Sequence, residues 1–250
     1  MKTKLPLSII LCGLICPAVI AQNNLVDDFN GNAINTSLWN IYNTGFGTPS
    51  AGGVASSVTE GNGVVQFVNG GGLITTASFD NATVQGSFQF TGDNDDRFKV
   101  YLRSDGTTFA PYWDDLASGI MVQFSPSSNP SPNNPSLQII DATTGNLLAQ
   151  ASPNISMDTY DTFDITDSGS QISVYLNGSV NPTLSAETTA SYGNQIGIFN
   201  REQAAAWGPN HISQLDFISV SAVPEPQSIA LVGVAAVLLF TVTRKRRVLC

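Results

Sequence analysis

The sequence predicts an all-β sandwich, and three observations lead to it. Between residues 23 and 223, short alternating apolar and polar runs are separated by Gly, Asn, Asp and Pro. No stretch of that region sustains a helical period. Turn signals such as Thr144-Gly145-Asn146 and Asp167-Ser168-Gly169 sit between adjacent runs, where antiparallel hairpins place them.

In chain order, the first element is not a strand. Lys2 and Lys4 precede the apolar stretch 5–15 and a small-residue boundary near Val19-Ile20-Ala21, so residues 1–21 read as a cleavable secretory signal. Residues 22–222 then form one domain, with strands expected at 64–68, 83–90, 97–103, 120–124, 137–141, 161–166, 171–176, 195–199 and 212–221. In FKVYLRSDG, Phe98, Val100 and Leu102 share a core face, while Lys99, Tyr101 and Arg103 share a face meeting solvent or ligand. Ile172, Val174, Ile196 and Ile198 join the expected core, and Trp39 fits packing better than display. The segment 125–136, with four prolines, is a long loop between two strands. An immunoglobulin-like sandwich is the alternative fold, which a chain of this length overfills.

The last element, 223–250, has three parts. Pro224-Glu225-Pro226 is followed by 227–243, an uncharged run about 26 Å long as a helix, enough to approach the hydrocarbon core of a bilayer. Arg244, Lys245, Arg246 and Arg247 follow and hold that end on the cytoplasmic side. This order of parts resembles the PEP-CTERM sorting signal of Gram-negative bacteria. The resemblance implies an exosortase partner that cuts near Pro224-Glu225-Pro226, a temporary membrane anchor, and a domain carried to the cell surface or extracellular matrix.

Composition excludes several functions. The chain carries a formal charge of −9, and between the signal and the tail four cations face eighteen carboxylates, a net −14. Nucleic acid is excluded as a partner on that balance. Cys12, Cys16 and Cys250 all lie in the signal or tail, leaving the domain without disulfides or a cysteine nucleophile. His211, the one histidine, cannot build a multi-histidine zinc site, and reads as an exposed loop residue.

LVDDFNGNAINTSLWN, FKVYLRSDG, FDITDSGSQISVYLNGS and YGNQIGIFNREQ leading into HISQLDFISVS together resemble concanavalin A-like lectin and glucanase domains. The resemblance implies a jelly roll of two antiparallel sheets, with the first strand paired to the last and a concave face that binds sugars. It also implies a structural calcium held by Asp216 and Asp28. A second acidic group, Asp93-Asn94-Asp95-Asp96, reads either as a plain turn or as a cation site. Laminarinase-type members carry E-x-D-x-x-E on one strand; here Glu60, Glu187 and Glu202 lack such partners.

Sugar recognition needs aromatic rings and planar polar groups, and the candidates are Tyr101, Arg103, Tyr112, Trp113, Arg201 and Trp207. Arg103 and Arg201 are equally read as intramolecular ion pairs, with Asp105 or Glu202 for example. The expectation is therefore an exported, non-catalytic polysaccharide-binding protein of an exopolysaccharide or biofilm layer. A glycoside hydrolase or lyase with an atypical site, and a calcium-stabilised structural surface protein, are the alternatives.

Overall fold

The computed structural model describes residues 23–43, 56–107, 116–128, 136–201 and 211–223. The expected signal, the sorting residues 224–226 and 244–247, and Tyr112, Trp113 and Trp207 lie outside them. The described strands are β1 (Asn24–Asp27), β2 (Trp39–Tyr42), β3 (Ser57–Gly61), β4 (Val64–Val68), β5 (Gly72–Thr75), β6 (Ala82–Phe90), β7 (Phe98–Ser104) and β8 (Ile120–Phe124). They continue with β9 (Leu137–Asp141), β10 (Asn146–Ala151), β11 (Asp161–Asp167), β12 (Gln171–Leu176), β13 (Leu184–Glu187), β14 (Gln195–Asn200) and β15 (Ile212–Ala222).

Two antiparallel sheets form the sandwich. The first has the order β13-β12-β11-β6-β15-β4-β3, with β1 also on β15. The second runs β10-β9-β8-β7-β14-β5-β2. The first strand does pair with the last, Asp27 opposite Ile218. Along one side of β15 lies β6, while the other side is shared: β4 takes Ile212 to Leu215 and β1 takes Ile218 to Ser221. A register shift between Leu215 and Phe217 falls where the partner changes. Such a bulge leaves one residue unpaired and re-aims its neighbours; Asp216 and Phe217 are both exposed there.

Every core position expected from alternation is buried, including Phe98, Val100, Leu102, Ile172, Val174, Ile196 and Ile198. An aromatic knot ties the two sheets: Phe88 of the first stacks on Phe98 of the second at 4.9 Å and 4°, with Phe124 and Phe163 tilted around them. Gly86 makes room, since a Cβ there would meet the Phe163 ring at 2.6 Å. Trp39 is buried and its Nε1 donates to Asp27 Oδ2 at 2.8 Å, anchoring β2 to the end of β1.

Two expectations fail. All of β7 is buried, on both faces, rather than half of it. His211 is not an exposed loop residue but buried: its N–H donates to Asn69 Oδ1 at 3.0 Å, and its carbonyl accepts from Asn200 Nδ2 at 3.0 Å. Asn200 Oδ1 in turn accepts from Gly70 N at 2.8 Å, so polar side chains lock the turn before β5 to the ends of β14 and β15. Sequence alone showed a histidine in a turn-rich run, and not the amides that satisfy its backbone.

Candidate functional site

The outer face of the second sheet is built from the residues that alternate with the core. Cross-strand partners share a face, and the register sets Phe199 opposite Lys99, Lys99 opposite Gln123, and Gln123 opposite Gln138. Gln123 Nε2 donates to Gln138 Oε1 at 2.9 Å. Lys99 and Gln123 are each only 3% exposed, unusual for side chains on the outside of a sheet. The neighbouring row is Tyr101, Met121 and Ile140. Tyr101, Met121, Phe199, Ile74 and Leu116 form a second apolar cluster there, with Tyr42 packed against it. Gly72 and Gly197 are the floor: a Cβ on Gly72 would lie 2.2 Å from the Phe199 ring, and one on Gly197 2.4 Å from Leu116.

Of the sequence-predicted ligand residues, Tyr101 belongs to this face, but packed rather than displayed. It is 1% exposed and meets Phe199 edge to face at 5.8 Å and 83°. Arg103 has left the face. Its φ of 53° and the register shift between Gln195 and Gly197 break the alternation, so its side chain faces Asp167 of the first sheet. Nε and Nη2 donate to the two Asp167 oxygens at 2.7 and 2.5 Å, and Nη1 donates to the carbonyls of Thr188 and Ala190. This is a buried bidentate ion pair, whose worth lies in geometry and in leaving no charge unpaired. The pair reading was right in kind, with Asp167 rather than Asp105 as partner. Arg201 is also paired, with the carboxylate of Asp95, and Nη1 donates to the Asp95 carbonyl at 2.6 Å.

Asp93 to Asp96 form a turn closed by Asp96 N donating to Asp93 O. Asp96 is fully buried, which pushes its carboxyl up to about 7 against the opposing pull of Arg97 N–H, the Ser213 hydroxyl, the Arg201 backbone and Lys99. Glu60 is also raised, by burial first and then by the carboxylate of Asp27. Asp28 is exposed, taking Asn30 Nδ2 at 2.7 Å, and Asp216 is exposed at the β15 bulge. Among the described residues no group of three or more His, Cys, Asp or Glu is arranged to hold a metal ion.

Alternation in FKVYLRSDG had placed Lys99 on the outward face, whereas Gln123, Gln138 and Phe199 were not singled out from sequence. A glutamine inside IMVQF and another inside LQIID was the available signal, but only the register shows that they touch. On β7, β8 and β9 this outer face presents no carboxylate among the described residues. Among the described residues the face therefore sets an amide pair and a lysine beside a packed aromatic cluster, with no pair of carboxylates on β7, β8 or β9.

Residues 24–209 match the 3-keto-alpha-glucoside-1,2-lyase-like domain family. No curated protein matches the sequence. Among solved structures, the chain is similar to the β-glucanase of Bacillus licheniformis, at 12% identity and a TM-score of 0.54, over 80% of this chain and 98% of that one. The exoplasmic/lumenal domain of VIP36, bound to Ca2+ and Man3GlcNAc, is similar at 9% identity and 0.54, over 80% and 91%. An endo-acting O-glycanase structure from the human gut microbiota, tied to mucin breakdown, is similar at 13% identity and 0.54, over 80% and 99%. At these identities the structures show the fold, which is the jelly roll expected of a concanavalin A-like domain.

Proposed function

Since the chain belongs to the 3-keto-alpha-glucoside-1,2-lyase-like domain family, we propose that it is an exported carbohydrate-binding protein whose ligand lies on the outer face of the second sheet. The observation that carries the reading is the Lys99, Gln123 and Gln138 row beside Tyr101 and Phe199, on a face without a described carboxylate. Amides and an ammonium hydrogen-bond hydroxyls, the packed Tyr101 and Phe199 rings hold the sheet beneath them rigid, and retaining hydrolysis needs two carboxyls, which the described residues of this face do not supply. The signal and tail fit delivery to a surface or exopolysaccharide matrix through an exosortase. A calcium ion between Asp28 and Asp216 would be structural; a calcium and EDTA melting titration tests it.

The experiment is a glycan array with and without calcium, followed by assays for released reducing ends on any glycan that binds. Binding without release, weakened about tenfold by Gln123→Ala, is the expected result.

The family match favours a second reading, elimination from a 3-keto glucoside. There a base takes the C2 proton beside the ketone, the electron pair forms the C1–C2 double bond, and the aglycone leaves C1 with a proton. Lys99 is the cationic side chain on the described face and the residue to test, by Lys99→Met and ultraviolet detection of the enone. Enone formation lost in that variant would replace the binding reading with this one.

A further inference from the structure

The opposite side of the sandwich carries a depression of its own. Outward-facing residues of the first sheet line an open depression of about 670 Å³, bounded by Gln85, Thr162, Asp164, Tyr175, Ser179 and Phe217. That volume lies in the range of small-molecule sites. Register places Asp164 opposite both Gln85 and Tyr175, so ring, carboxylate and amide follow one another across three strands. Phe217 closes the far side, turned outward beside Ser87 by the β15 bulge and 36% exposed. At about 4.8 Å per strand, the two rings stand on the order of 14 Å apart, longer than one hexose.

The floor is polar and incompletely satisfied. Gln85 Nε2 donates to Asp164 Oδ2 at 2.7 Å. Asp164 Oδ1 is buried and has no hydrogen-bond partner. A buried acceptor left open costs free energy until a donor fills it.

We infer that this depression binds a neutral oligosaccharide, independently of the face across the sandwich. Sugar hydroxyls donate to the exposed Gln85 side-chain oxygen and to the half-buried Asp164 carboxylate, while Tyr175 and Phe217 receive the apolar faces of the rings at the two ends of the oligosaccharide. An anionic glycan is excluded by the carboxylate and by the acidic domain around it.

The test is nuclear magnetic resonance titration of the full chain, in a sugar-free detergent, with laminaritriose, cellotriose, maltotriose and mannotriose. Shifts at the amides of Gln85, Asp164 and Tyr175 with at least one trisaccharide are expected. Asp164→Asn and Phe217→Ala should each weaken that binding about tenfold, and Gln123→Ala should leave it unchanged. Asp164→Asn is nearly isosteric and serves if Phe217→Ala does not fold. Absence of shifts at these amides with all four sugars, or binding equal to wild type in both variants, overturns the inference. Loss of binding in Gln123→Ala alone would do so too, while supporting the other face.

Discussion

At the scale of single residues, Arg103 shows how a local backbone choice decides what a side chain is for. Strict alternation would have set it beside Tyr101 and Lys99; a positive φ instead drives it between the sheets to Asp167. Removing one member of such a pair strands a buried charge, so Arg103→Ala should cost about 3–5 kcal/mol in urea unfolding. A loss under 1 kcal/mol would show the pair to be dispensable. Neither the φ value nor the partner was legible in FKVYLRSDG, because both depend on the opposing strand. Asp96 makes a second residue-scale prediction. Its carboxyl is raised in the fold, so the native state keeps a proton that the unfolded chain has lost between about pH 4 and about pH 7. Stability therefore falls as pH rises through that window and levels off above it. Asp96→Asn should flatten the slope of melting temperature against pH between 4 and 7. An unchanged slope would assign the effect to other carboxylates.

At the scale of elements, strands with clean alternation were legible to the residue. Val64–Val68, Ile120–Phe124, Leu137–Asp141 and Gln171–Leu176 occur where apolar periodicity and flanking turn residues place them. The short edge strands β3 and β13 were not, since SVTEG and LSAE bury little and owe their conformation to the ladders of β4 and β12. What also escaped reading was the second role of β7. One face of it enters the core and the other enters the Tyr101 and Phe199 cluster, which is a consequence of neighbours on β14 and β5. Gly72 tests that cluster: Gly72→Ala forces the Phe199 ring aside and should cost about 1–3 kcal/mol. Melting within 1 °C of wild type would mean that the ring moves freely.

At the scale of the whole molecule, a lyase-like family and a jelly-roll fold similar to a β-glucanase and to VIP36 meet on a chain whose second sheet carries amides, packed rings and one lysine on its described outer face. Fold was readable from turn spacing and from the first-strand motif, because both are local. The site was not: of six residues chosen for ligand contact, Tyr101 is packed, Arg103 and Arg201 are ion-paired, and three lie outside the described residues. Chemistry on a sheet face depends on register, and register is a property of the assembled sandwich. The proposed activity is binding on the second sheet without hydrolysis. Its most direct measurement follows glycan binding and the release of reducing ends together, for the wild-type full chain and Gln123→Ala. The expected result is a bound glycan, no release over a prolonged incubation, and about tenfold weaker binding in the variant. Release of reducing ends from the bound glycan by the wild-type chain would contradict it.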